Sequence, residues 1–588
     1  MNNWNLTYLF KNDEAWEKEF EAVKELFNKL LSFKGKLADE AAFCQFKKLE
    51  IEFEERFEKI YQYASLKSDL NKKDVANAAS YAKVMNFYAE VASGLSFEEP
   101  ELLAIGKDKL MHFVDKNKEL EEIRFGLDKL FRSQDHILDS KSEQLLARLM
   151  PVTSNARELY SALAVADATP KTITLKNGKN VTVTQGNWTT LEEQADNDED
   201  RKAIFEAIFS KYEDLKTTFA TIYNQIINTN KANVANRNYD SILDSYLYHN
   251  AIPTSVFKTL VKVASENNSS LKKYIALRQK YLGLKEYHTY NRFMNLATSN
   301  KKYSYEEAKE LFFDSIKVFP KDFQDKAHLA LEEGFVDVYE KEGKRSGAYS
   351  SSVVNSRPFI LLNYTDALDD VFTVAHESGH SIHSLYAAEA QPSSLQDYTI
   401  FVAEIASTFN EHRLLDYLIE SGKATKEEKI VLLQKAIDSI VSTFYRQTLF
   451  ADYEYRANEI AANGGVINHE VLSNIMIDLY KQYYGIDITK EVYKKYVWCY
   501  IPHLFYTPFY VYQYATSFSA SLKLYQSVKN GGAKEFDNYI SLLKAGGSDY
   551  PVKEALSAGV DFTNEETFMA VVQRMDELVD QLEKVLAE

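Results

Sequence analysis

The segment Asp366-Ala367-Leu368-Asp369-Asp370-Val371-Phe372-Thr373-Val374-Ala375-His376-Glu377-Ser378-Gly379-His380 sets the reading of the whole chain. Its acids suit the first turn of a helix, where they complement the positive end of the helix dipole. Val371, Phe372, Val374 and Ala375 before the histidines, with Ile382 and Leu385 after them, mark that helix as buried. His376 and His380 are four residues apart, so their imidazoles leave one face a turn apart. Two neutral imidazoles so placed can hold one Zn2+ at about 2.0–2.1 Å each. Glu377, beside the first of them, is placed to reach a water on the ion without binding the ion itself. Polar side chains in so apolar a helix need partners, because unpaired burial costs several kcal/mol.

Such a site asks for a third protein donor. A histidine six residues after His380 would be one route, but that position is Tyr386. The carboxylates downstream are Glu389, Asp397, Glu404 and Glu411. Glu404 interrupts the apolar run Ile400-Phe401-Val402-Ala403 and Ile405-Ala406, an expensive place for a carboxylate without a cation. It is the expected third ligand. Glu411, two turns further along that face, is expected to support a ligand. Glu389 reads as surface, and His383 as a hydrogen-bonded helix histidine, since two His and one Glu already suffice.

Outward from this segment the texture is helical. Only 20 glycines and 10 prolines punctuate 588 residues, which favours long helices. Trp16, Phe20, Val23, Leu26, Phe27 and Leu30 recur mostly at spacings of three and four. Near Thr172 the pattern changes: Ile173-Thr174-Leu175 and Val181-Thr182-Val183 flank Asn177-Gly178 and predict a hairpin. The expected division is an N-terminal helical domain over 1–190, ending in that hairpin, and a catalytic domain over 191–588. Within 347–364, Tyr349, Val353-Val354 and Phe359-Ile360-Leu361-Leu362 predict two short strands split by Asn355-Ser356-Arg357-Pro358.

A formal net charge of −17 and the lack of a Lys/Arg cluster argue against nucleic-acid binding. Cys44 and Cys499 are too few and too distant for a disulfide framework, which fits a reducing cytoplasm. No apolar run is long enough to span a membrane, and the first residues lack the marks of a secretory signal. A soluble cytoplasmic protein with no membrane partner is expected.

The combination of residues 372–383 with Phe401-Val402-Ala403-Glu404-Ile405-Ala406-Ser407-Thr408 resembles oligoendopeptidase F, within the thimet oligopeptidase group of zinc peptidases. The likeness extends to Gly347-Ala348-Tyr349, Ile501-Pro502-His503, Phe509-Tyr510-Val511-Tyr512-Gln513-Tyr514-Ala515 and Gly546-Gly547-Ser548. It implies a mainly α fold whose helical walls enclose a channel, with a small β-sheet patch beside the zinc site. Short, unstructured peptides would be the substrates. It also implies His376, His380 and Glu404 as ligands of one Zn2+, with Glu377 as catalytic base. A His and one or more Tyr of the C-terminal part would stabilise the oxyanion. His503, Tyr506, Tyr510 and Tyr514 are spaced by three, four and four, one face if helical, although Pro508 interrupts. Tyr510 is the expected donor beside His503, with Tyr506 and Tyr512 as alternatives in the substrate site. Gly347 and Ala348 are expected to border the substrate, and residues 349–352 to pair with its main chain.

The expected activity is hydrolysis of internal peptide bonds. A carboxypeptidase or dipeptidyl carboxypeptidase would instead hold a terminal carboxylate, for which Arg446 and Arg357 are available. A non-catalytic, zinc-containing helical peptide-binding protein is the remote alternative, and an intact Glu377 argues against it, because a structural zinc site gains nothing from an unliganded base.

Overall fold

The computed structural model describes residues 3–299, 301–422 and 424–588. Helix α1 (Asp13–Leu31) begins where the Asn12 side chain accepts the Ala15 N–H at 3.0 Å, with Asp13 and Glu14 in its first turn. The stripe Trp16, Phe20, Val23, Leu26, Phe27 and Leu30 is buried as its spacing predicts. Helix α2 (Glu40–Leu70), capped by Asp39, packs along α1, and α3 (Val75–Gly94), capped by Asp74, packs along α2. Buried indoles need an acceptor. Trp16 Nε1 donates to Ile60 O at 2.9 Å, and Trp4 Nε1 to Ile360 O at 2.8 Å, which ties these helices to a small sheet.

That sheet has the order β1-β3-β2, from β1 (Val336–Tyr339), β2 (Tyr349–Ser351) and β3 (Phe359–Tyr364). β1 runs parallel to β3, and β2 runs antiparallel to it with Ser350 opposite Ile360. Phe359, Ile360, Leu361 and Leu362 are buried on both faces, which explains their unbroken apolar run. Two expectations need correction. Val353 and Val354 belong to the turn after β2, where Asn355 adopts φ of 56°, and β1 was not foreseen.

From β3 the chain enters α4 (Leu368–Ala390), which packs against α5 (Ile400–Glu420), α6 (Ala533–Ala545) and the helices Tyr305–Ile316 and Lys321–Ala330. With 72% of the chain helical and 4% in strands, the protein is mainly α.

The chain forms two compact units, each built from three stretches. One contains Met1–Gln134, Asn300–Glu420 and Leu524–Val560; the other contains Asp135–Ser299, Ser421–Lys523 and Asp561–Glu588. In the second unit Lys171–Thr174 pairs antiparallel with Asn180–Val183, and Gly178 takes φ of 84° in the connecting turn, as the hairpin reading requires. There the helix Glu565–Ala587 packs against Thr254–Glu266, Ser269–Tyr281 and Lys426–Ile440. Among the described residues no helix is long and apolar enough to cross a membrane.

Candidate metal centre

The start of α4 is fixed by Asp370, whose Oδ2 accepts the N–H groups of Thr365 at 2.8 Å and Ala367 at 3.0 Å. Further along, α4 and α5 approach backbone to backbone. A Cβ on Gly379 would stand 2.5 Å from Ala406 O and 2.5 Å from Ser407 Cα, so only glycine fits. This approach carries Glu404, three residues before Ser407, to the two histidines of α4.

His376 Nε2 and His380 Nε2 are 3.3 Å apart. Glu404 Oε2 lies 3.4 Å from the first and 3.5 Å from the second. A tetrahedral ion about 2.0–2.1 Å from each donor spaces its donors roughly 3.3–3.4 Å apart. The triangle therefore matches one face of a tetrahedral zinc site and leaves the fourth corner open. No other group of three such donors converges among the described residues.

Two of the three donors are held from behind. Glu411 Oε1 lies 2.5 Å from His376 Nδ1, so it holds the Nδ1 proton and leaves Nε2 as the nitrogen that faces an ion once the second proton is lost. Ser407 Oγ donates to Glu404 Oε2 at 3.0 Å. Asn410 Nδ2 donates to Ala375 O at 3.1 Å and so braces α4 against α5. Glu411→Ala is expected to weaken metal binding by about 10–100-fold. Competition with a chromophoric chelator measures this, and affinity equal to wild type would show that Glu411 does not orient the ring.

Charge is tightly balanced among these side chains. Burial disfavours charge on His376, but its contacts with Glu404 and Glu411 outweigh that and hold the ring well above its ordinary range. Burial and the neighbouring His376 drive His380 down to about 4. Burial opposes the Glu404 charge as well, yet the two histidines carry that carboxyl down to about 2. A dication must displace the His376 proton, so affinity should rise as pH rises through neutrality and fall as it drops. Calorimetry in buffers of different ionisation enthalpy should detect proton release at pH 7, and identical heats would refute it.

Glu377, 6% exposed, is pushed up to about 7, chiefly by burial, and it accepts a hydrogen bond from the Ser350 N–H of β2. His383 stays outside the donor triangle. Its ring stacks on Tyr398 at 3.6 Å, and among the described residues its nitrogens have no hydrogen-bond partner, unlike the hydrogen-bonded histidine expected there. Glu389 is exposed and pairs with Lys326 at 2.7 Å. Gly347, with φ of 83°, and Ala348 are exposed just before β2, and Gly347 O accepts from Asn363 Nδ2 at 2.7 Å.

In the second unit residues 503–514 are not one helix, in keeping with the interruption expected at Pro508. His503–Tyr506 forms one turn, Phe509 takes φ of 54°, and a new helix begins at Tyr512. The break still gathers three rings. His503 lies 5.9 Å from Tyr510, nearly parallel, and both face Tyr514, at 6.2 Å and 5.6 Å. Burial lowers the His503 pKa, which keeps the ring neutral. Tyr506 instead packs on Tyr160 at 5.3 Å, and Tyr512 is buried against Phe257 at 5.5 Å. Sequence reasoning missed Ser350, whose contribution is a main-chain N–H that leaves no mark. It also passed over Gly379, although a glycine inside a helix is itself a signal.

Residues 191–574 match the model of peptidase family M3, and residues 101–169 match that of oligopeptidase F. The chain belongs to peptidase family M3. The chain is 36% identical to the oligopeptidase PepF of Bacillus subtilis, over 100% of its own length and 87% of the relative's. It is 33% identical to the group B oligopeptidase PepB of Streptococcus agalactiae, over 100% and 97%. Oligoendopeptidase-F of Enterococcus faecium superposes with a TM-score of 0.75 at 27% identity, over 98% of this chain and 99% of that one. The family M3 chain is a metallo-endopeptidase of the oligoendopeptidase F kind, and His376, His380 and Glu404 converge where α4 meets α5.

Proposed function

We propose that this peptidase binds one zinc ion through His376, His380 and Glu404 and uses Glu377 as general base to cut internal bonds of short, unstructured peptides. The donor triangle, with the buried Glu377 carboxyl beside it, carries this reading. When bound, zinc supplies Lewis-acid activation of a water and of the scissile carbonyl. Glu377 takes a proton from the attacking water and passes it to the leaving amine, a task suited to a carboxyl raised by burial. The Ser350 N–H holds that carboxyl against β2. β2 is an edge strand, so an extended peptide can add to it by main-chain hydrogen bonds, with Gly347 and Ala348 at its start. A folded protein offers no free extended segment to such an edge.

His503 and Tyr510 are assigned the donation of hydrogen bonds to the oxyanion, supported by the family resemblance and by the pairing of their rings. Support for Tyr506 and Tyr512 is weaker, because their rings are engaged elsewhere. The division at about residue 190 into helical and catalytic parts is supported by the limits of the two family matches. A cytoplasmic setting is supported by the free thiols of Cys44 and Cys499.

Elemental analysis of the purified protein should give one zinc per chain. Cleavage of an end-blocked, internally quenched peptide should stop with a chelator and return with zinc. Another ion at full stoichiometry and full activity would overturn the zinc assignment. A peptide complex without main-chain pairing to Tyr349–Ser351 would sink the strand-addition reading.

A further inference from the structure

Beside β2 lies a cavity of about 1100 Å³ within one unit, walled by α2 and α3 on one side and by residues 349–354 and 393–398 on the other. It reaches Ser384, one helical turn past His380, and Ser350, whose N–H bonds the Glu377 carboxyl. Its wall carries Glu50, Glu54, Glu55, Glu58, Asp69 and Asp397, against the lone cation Arg345. Arg345 is already committed, to Asp69 at 3.2 Å and over the Tyr349 ring at 5.0 Å. Lys47 pairs with Glu50 at 2.7 Å. Among the described residues Glu54, Glu58 and Asp397 have no ion-pair partner; Glu58 accepts only the Val354 N–H, at 3.1 Å.

The wall is thus short of positive charge. Burial raises Glu58 and Asp397, as expected for carboxylates gathered without counter-charge. An inorganic ion does not fit this pattern. Glu50, Glu54 and Glu58 are one α2 turn apart, about 6 Å, too far to converge on one ion. That spacing is close to the roughly 6.6–6.8 Å between alternate side chains of an extended peptide. The cavity also presents the Tyr61 ring and the Phe57–Tyr88 stack, at 6.1 Å, to which the stem and guanidinium of an arginine adhere.

We propose that this cavity is a substrate subsite for Lys and Arg side chains, with Glu54 and Glu58 as its specificity-determining residues. The proposal rests on the reading of Glu377 and β2 given above. A peptide paired along the β2 edge lays alternate side chains toward α2, and a basic one supplies the charge the wall lacks.

The test uses the zinc-loaded full chain at pH 8 and a set of end-blocked, internally quenched peptides of one length. Each position in turn carries Arg, the neutral isostere citrulline, or Glu. At the position that enters the cavity, kcat/KM for Arg should exceed that for citrulline by about tenfold, the effect of one partly screened ion pair, and Glu should fall below both. In Glu54→Gln/Glu58→Gln the Arg-to-citrulline ratio should drop to near one. The single variants carry the same comparison if the double variant does not fold. Equal rates for Arg and citrulline at every position, or a ratio unchanged in the variants, overturns the subsite while leaving the peptidase reading intact. Failure to cleave any peptide of the set overturns both.

Discussion

Glu377→Gln is expected to lower kcat by about 10²–10⁴-fold with zinc content unchanged, because it removes the proton acceptor and touches no metal ligand. The substitution is nearly isosteric, and the amide oxygen can still accept the Ser350 N–H. KM should therefore move little, and the loss should appear in single turnover as well as steady state. Activity requires the ionised carboxylate, so it is lost as pH falls through the Glu377 pKa. That value, pushed up to about 7 chiefly by burial, is drawn lower by an adjacent dication, which places the acid limb of kcat/KM below pH 7. Turnover within about tenfold of wild type would remove Glu377 as the base.

Gly379→Ala should be nearly as damaging by a different route. The new methyl group would meet two backbone atoms of α5 at 2.5 Å, and backbone cannot swing aside as a side chain can. α4 and α5 must then separate, which carries Glu404 away from His376 and His380. Overpacking alone costs about 1–3 kcal/mol. A displacement of about 1 Å at the donors is expected to cost turnover roughly 10²-fold or more. Zinc content should fall well below one per chain. Ser378→Ala, which deletes only the 2.6 Å bond to Val374 O inside the same helix, should keep its metal. A Gly379→Ala protein with full zinc and wild-type turnover would show that the close approach is not what sets the triangle.

The donor set was legible because its signals are local or costly. A spacing of four on an apolar helix and one carboxylate in an apolar run each demand a cation, and the structure brings the three together. The α1 stripe was legible for the same reason, since its period is its burial. β1 was not. It is four residues long, it pairs in parallel with a strand more than twenty residues on, and its centre holds a charge. Asp337 is 1% exposed and satisfied by Lys341 at 3.0 Å and Lys344 at 2.7 Å, so its burial depends on residues outside the strand. Which tyrosines gather near His503 is set by the backbone rather than by spacing alone. Spacing arguments assume one continuous helix, and the left-handed turn at Phe509 sends Tyr512 inward while keeping Tyr510 and Tyr514 with His503.

The assembly of each unit from three separated stretches sets a schedule on the ribosome. The aromatic core built from Trp4 to Phe131 takes its last members, Phe335, Phe359 and Leu361, from the middle of the chain. The helix that backs α4 on another side, α6, begins at Ala533. At about 5–20 residues per second, the ribosome needs roughly 20–80 s between Gln134 and Ala533. Until Leu361 emerges the first helices wait with part of their apolar surface uncovered, and α4 waits for α6 through the rest of that interval. The second unit closes later still, on Glu565–Ala587. A chain cut short before α6 would therefore lack parts of both units at once, so the nascent peptidase acquires a braced metal site only when its synthesis is nearly finished.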